Sequence, residues 1–112
     1  MADILAGNRE ILYRIDNDTI KDCYGCILFK FRGDTLCDFY GQPLFRMRNG
    51  KICTISGEQK FSFDGKLIRD FYGRILYKID GDNVRNFYGT VCYIVRGNAD
   101  KNQLAMLLAT LE

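Results

Sequence analysis

Residues 27–42 read ILFKFRGDTLCDFYGQ, and residues 75–90 read ILYKIDGDNVRNFYGT. The two stretches are one sixteen-residue unit, and each divides into two octads. The first octad alternates apolar and polar residues and ends in Gly33-Asp34 or Gly81-Asp82. The second starts a new alternating run and closes on Asp-Phe-Tyr-Gly or Asn-Phe-Tyr-Gly. Working outward, residues 11–98 continue in the same phase as eleven octads without insertion or deletion. The odd octads are ILYRIDND, ILFKFRGD, PLFRMRNG, QKFSFDGK, ILYKIDGD and VCYIVRGN. The even ones are TIKDCYGC, TLCDFYGQ, KICTISGE, LIRDFYGR and NVRNFYGT. The repeats are thus 11–26, 27–42, 43–58, 59–74 and 75–90, with a closing half-repeat 91–98. Two columns never change in kind. Tyr13, Phe29, Phe45, Phe61, Tyr77 and Tyr93 form one, and Gly25, Gly41, Gly57, Gly73 and Gly89 form the other.

The octad ends name two kinds of turn. Asn17-Asp18, Gly33-Asp34, Asn49-Gly50, Gly65-Lys66, Gly81-Asp82 and Gly97-Asn98 tolerate positive φ and suit two-residue hairpin loops. In the even octads, an Asp or Asn opens a type I turn with its side chain, and the Gly takes the left-handed place of a bulge. Both connections are tight, so consecutive strands run antiparallel. A two-residue loop at Gly33-Asp34 pairs Arg32 with Thr35, Phe31 with Leu36 and Lys30 with Cys37. Strict alternation then puts Ile27, Phe29, Phe31 and Leu36 on one face, and Leu28, Lys30, Arg32, Thr35 and Cys37 on the other.

Five equivalent hairpins with one greasy side each can stack as an open solenoid or close around an axis. An open stack needs caps and leaves edges exposed. Closure is therefore favoured, with the half-repeat 91–98 pairing with the Ile4-Leu5 region or with the first hairpin. The expected fold is all-β: five tandem antiparallel hairpins, closed with pseudo-five-fold symmetry, in a single domain over 1–112. A short C-terminal α-helix over 99–111 completes it. Asp100 caps that helix with Gln103 three residues on, and Leu104, Leu107, Leu108 and Leu111 follow helical spacing. That stripe either plugs the repeat body or serves as an interface helix.

Composition narrows the function classes. Sixteen Lys and Arg stand against fourteen Asp and Glu, a balance that requires no polyanionic partner. There is no His, so no Ser-His or Cys-His nucleophile pair can form. Asp34 and Asp38 make a carboxylate pair, but it recurs as turn residues in other copies, which is poor evidence for one tuned acid. The N-terminus, MADILAGNRE, lacks the pattern of a secretory signal, and Leu104–Leu111 is too short to span a membrane. An odd count of five Cys suits reduced thiols, so a cytoplasmic location is expected. The spacing Cys23-Tyr24-Gly25-Cys26 matches metal knuckles and redox sites. It has no second CxxC and occupies a turn whose sister copies carry other residues, so no metal or cofactor is expected.

The alternation of ILYRIDGD-like and IxDFYG-like octads over residues 11–98 resembles bacterial beta-flower proteins, tandem-repeat proteins of four-fold and five-fold form. The resemblance implies a closed ring of hairpins and carries no activity or functional residue with it. The turns here hold Phe-Tyr where the related turns hold polar residues, and KICTISGE lacks both the Asp and the aromatics.

Two candidate surfaces follow. Tyr24, Phe39, Tyr40, Phe71, Tyr72, Phe87 and Tyr88 sit at turn tips. They either fold back to complete the core or form an exposed interaction rim. The second surface is basic: Arg14, Lys30, Arg46 and Lys78, then Lys21, Arg69 and Arg85, then Arg32, Arg48 and Arg96 share the face opposite the aromatic column. Only Asp16, Asp64 and Asp80 oppose them there. Pairing with neighbouring aspartates and the absence of any nucleic-acid module argue against nucleic acid as a partner. The expected function is a non-catalytic structural or interaction module that self-associates as a homo-oligomer or binds another protein. The alternative is multivalent binding of small, carbohydrate-like ligands by the Asp-Phe-Tyr-Gly turns.

Overall fold

A computed structural model describes residues 2–111. The strands are β1 (Ala2–Ala6), β2 (Ile11–Asp16), β3 (Thr19–Asp22), β4 (Ile27–Arg32), β5 (Thr35–Asp38) and β6 (Pro43–Arg48). They continue as β7 (Lys51–Thr54), β8 (Gln59–Phe63), β9 (Leu67–Asp70), β10 (Ile75–Asp80), β11 (Asn83–Asn86) and β12 (Val91–Gly97). One helix, α1 (Lys101–Thr110), ends the chain. Each strand pairs antiparallel with its chain neighbours, and β1 also pairs with β12. The result is a closed twelve-stranded barrel with no free edge among the described residues. The register argued from Gly33-Asp34 is the register observed: Arg32 opposite Thr35, Phe31 opposite Leu36, Lys30 opposite Cys37.

Closure comes from the Ile4-Leu5 segment, and it changes the count. Ile4 stands opposite Val95, as Leu36 stands opposite Phe31, so β12 and β1 make a sixth pair in the register of the five hairpins. A pseudo-five-fold ring therefore does not describe the twelve strands. Residues 3–10 continue the octad phase backwards. Ala6 N–H donates to the Glu10 carbonyl as Asp22 N–H does to Cys26, and Arg9 (φ 71°) occupies the place of Gly25 (φ 86°).

The core repeats at the same period. Ile4, Ile20, Leu36, Ile52, Ile68 and Val84 are each completely buried. Ile15, Phe31, Met47, Phe63, Ile79 and Val95 form the next layer, and the aromatic column Tyr13 to Tyr93 packs against both. Each buried Ile or Leu stabilises the fold by roughly 1.5–3 kcal/mol relative to exposure. Neighbouring hairpins are also stitched at the loops. The Asp18, Asp34, Gly50, Lys66 and Asp82 carbonyls accept from the N–H of Phe31, Met47, Phe63, Ile79 and Val95, at 2.7–2.9 Å.

One face assignment changes. A bulge follows every Gly turn, so Ile27 comes into register with Lys21 on the outer side. At equivalent places, Leu76 and Cys92 pack against the core, while Ile11 and Ile75 line outer grooves beside Arg14 and Lys78. The extra bulged residue reverses the alternation for the first two residues of those strands.

Helix α1 lies inside the barrel. Asp100 caps it, its carboxylate accepting from Asn102 and Gln103 N–H. The Gln103 side-chain amide donates to the Asn17 carbonyl at the two-residue-loop end, while Ala109 and Thr110 lie beside Phe29, Phe45 and Phe61 towards the other end. Ten residues at about 1.5 Å rise give about 15 Å, which suits a body 19 Å thick and 36 by 34 Å across. Leu104, Ala105, Met106, Leu107, Leu108 and Ala109 are consecutive and all buried. The expected one-sided stripe is thus a helix covered all round, and Leu104, Leu107 and Leu108 belong to the core with Leu111 packed against it. They are not on a surface, so the plug reading fits and the interface helix does not. No described helix is long and apolar enough to cross a membrane.

Candidate functional site

Strands that run up and down in chain order put all two-residue loops at one end and all Gly-bulge turns at the other. The turn end is built four times by the same device. The Oδ1 atom of Asp38 accepts from Tyr40 N–H and Gln42 N–H, each at 2.9 Å, and Gly41 (φ 84°) donates its N–H to the Asp38 carbonyl. Asp22, Asp70 and Asn86 do the same in their turns. Thr54 replaces them with a weaker hydroxyl bond to Glu58 N–H at 3.2 Å. Because the polar first residue and the Gly are tied to backbone, the two residues between them are pushed outward.

All seven aromatics of the expected rim are exposed, from 54% at Phe39 to 88% at Tyr24 and Tyr40. They do not fold back into the core. Phe39–Tyr40, Phe71–Tyr72 and Phe87–Tyr88 each meet edge to face at 5.3–5.5 Å. Each pair is therefore a compact apolar knob. Around the ring, Tyr24 and Phe39-Tyr40 make one arc, and Phe71-Tyr72 and Phe87-Tyr88 make another. Ile55, which is also exposed, stands between them on one side, and Gly7-Asn8 on the other. Inside this crown, a cavity of about 590 Å³ lies beside the end of α1, lined by Phe29, Leu44, Phe45, Phe61, Ala109, the hydroxyl-bearing Thr54 and Thr110, and the cation Lys60.

The turn carboxylates are occupied by structure. Burial pushes Asp70 up, but the Arg74 backbone N–H and guanidinium outweigh it and hold the carboxyl below its ordinary value. The Leu67 and Lys66 backbone N–H groups hold Asp64 low in its loop. Asp34 lies in the loop just before β5 and Asp38 ends that strand, about 13 Å apart along the chain direction, too far for a shared proton.

The basic face splits into two parts. Asp16 pairs with Lys21, Asp64 with Arg69, and Asp80 with Arg85. Asp3 on β1, outside the eleven octads, adds a fourth carboxylate to that face and pairs with both Arg14 and Arg96. Arg14, first, then Arg96 hold the Asp3 carboxyl low against the opposing pressure of burial. Among the described residues, Lys30, Arg32, Arg46, Arg48 and Lys78 of that face make no ion pair, nor does Lys51 beside them. The thiols are dispersed: Cys23 and Cys26 are exposed on one turn, Cys37 is buried, and Cys53 and Cys92 are half-buried.

Comparison with known protein families, with characterised proteins and with solved structures finds no match to this chain.

Proposed function

We propose that this chain is a beta-flower-like ring that acts without catalysis, as an interaction module whose aromatic crown contacts protein, in the first instance a second copy of itself. The observation that carries the reading is the exposure of seven Phe and Tyr side chains on one end of a barrel whose core is already filled by α1. Exposed apolar groups in such number favour burial against a complementary apolar surface. Tyr and Phe are enriched in protein interfaces, and paired rings lose little conformational entropy on contact. Crown-to-crown contact of two copies would match aromatic arc to aromatic arc around a two-fold axis.

The test is molar mass by light scattering across protein concentration. Wild type is expected to gain mass with concentration, and a Phe39→Ser, Phe71→Ser, Phe87→Ser variant to stay monomeric with an unchanged far-ultraviolet spectrum. A wild-type monomer at millimolar concentration would overturn self-association.

The alternative, a multivalent binder of small carbohydrate-like ligands, draws support from the near-identity of three Phe-Tyr turns. It is weakened by the turn side chains, whose Oδ1 atoms already accept two backbone N–H groups each. A glycan array separates the two readings: hits lost in the triple variant would favour the carbohydrate reading.

A further inference from the structure

We propose a second site on a different surface: the outer groove over β6 and β7 binds a phosphate group through Arg46, Arg48 and Lys51. The groove holds about 220 Å³ and is lined by these three cations with Asn49, Cys53, Thr54, Ile55 and Gly57, and by no carboxylate. Its register is unfavourable without an anion. Arg48 stands directly opposite Lys51, and Arg46 opposite Cys53. Like charges facing each other across two strands destabilise the pair.

The sister hairpins supply an internal control. One period away from Arg48 in either direction along the repeat, the same place holds Arg32 or Asp64; further on it holds Asp16 and Asp80. Wherever it is Asp, the place matching Cys53 is Lys or Arg, and the two form an ion pair: Asp16–Lys21, Asp64–Arg69 and Asp80–Arg85. Within the five hairpins, where it is Arg, that partner is Cys37 or Cys53; Arg96, on the closing pair, is held by Asp3 instead. The pair has been exchanged at both ends, from a closed charge pair to an open cation over a thiol. Residues 27–54 consequently carry five cations against two acids, Asp34 and Asp38. Neither acid makes an ion pair among the described residues, and Asp38 serves its own turn. Arg32 does not fill the gap. Its guanidinium reaches the Gly41 turn, 3.8 Å from where a Cβ on Gly41 would stand.

Two guanidinium forks and an ammonium around a groove of this size match the oxygens of one phosphate. The cations lie at the surface, so binding weakens as salt rises. The site takes the phosphate either free or as a monoester.

The experiment is a titration of the labelled full chain with inorganic phosphate and, separately, with glycerol 2-phosphate, at fixed ionic strength set with chloride. Backbone and Arg side-chain NMR shifts are read, with melting temperature in parallel. Saturable shifts at Arg46, Arg48, Lys51 and Cys53, and a higher melting temperature in phosphate than in chloride, are expected. Stronger binding of the inorganic ion assigns free phosphate, and stronger binding of the ester assigns a carried group. The control is Arg48→Asp with Cys53→Lys, which rebuilds the sister pair and so keeps the fold. It should lose the shifts at least tenfold in affinity. Absence of saturable shifts in wild type, or equal shifts in the rebuilt variant, overturns the proposal. The groove shares the Thr54–Gly57 turn with the crown end but is lined by none of the seven crown aromatics, so the Phe39→Ser, Phe71→Ser, Phe87→Ser variant and the rebuilt Arg48→Asp, Cys53→Lys variant test self-association and phosphate binding separately.

Discussion

Truncating Ile4 to Ala separates a closed ring from an open one. Ile4 is completely buried on β1, opposite Val95 on one side and Tyr13 on the other. Ile52 is its counterpart three periods along, equally buried and between Met47 and Phe61. Removing three carbons from either leaves a cavity in a packed layer, at a cost of about 3 kcal/mol within a range of roughly 2–5. For a domain of this size, that lowers the melting temperature by roughly 12–24 °C. The assay is urea unfolding followed by circular dichroism, with the slope checked for constancy so that only stability is compared. In a closed ring the two variants lose stability to within about 1 kcal/mol of each other. If β1 were a frayed terminus, Ile4→Ala would cost less than about 0.5 kcal/mol while Ile52→Ala kept its full cost, and that result would refute the closure.

Three further outcomes are expected. Asp3 has its folded pKa lowered by Arg14 and Arg96, so its stabilisation is full above the unfolded value near 3.9 and is lost as pH falls below it. Asp3→Asn should therefore cost about 0.5–1.5 kcal/mol at pH 7, modest because both arginines are exposed, and nothing near pH 2, as read by chemical denaturation at the two pH values. Gly50→Ala should destabilise more than Gly33→Ala. Both positions have positive φ, worth roughly 1–2 kcal/mol, but a Cβ on Gly50 would also stand 2.8 Å from the Phe63 carbonyl oxygen, while one on Gly33 meets open space. Leu107→Ala should cost about 3 kcal/mol in the same unfolding assay, since the side chain is completely buried inside the barrel, and a loss under about 0.5 kcal/mol would mean an undocked helix.

The hairpins, their register and the two turn types were legible because an octad repeat combines period-2 patterning with turn chemistry at fixed offsets. Arg32 opposite Thr35 needed only the Gly33-Asp34 loop. The sixth pair was hidden because residues 3–10, DILAGNRE, keep the spacing and lose the signature residues. Ala6 stands where Asp, Asn or Thr opens the other turns, and Arg9 stands where Gly bends them. Only Ile4, in line with Ile20 and Leu36, marked the phase. The outward turn of Ile27 was hidden because a bulge inserts one residue without changing the repeat length. The helix stripe at Leu104, Leu107, Leu108 and Leu111 was visible, but Ala105, Met106 and Ala109 belong to the core as well, and small residues in a stripe do not declare that the far side is also covered. The turn-tip position of the crown residues was legible from their place in the octad. Their exposure was not decidable from residue type, since Phe and Tyr suit a core and a contact surface equally. The exchange of Asp–Lys pairs for Arg–Cys was present in the sequence, but its meaning required knowing that the two places meet diagonally between adjacent strands.

The most direct measurement is a nuclear Overhauser spectrum of the monomeric protein, read between residues 2–6 and 93–97. Cross-strand contacts of Asp3 with Arg96, and of Ile4 with Val95, are expected with the intensity seen between Phe31 and Leu36. A folded protein in which those contacts are missing, while the five hairpins keep theirs, would contradict a barrel held shut by its first and last strands.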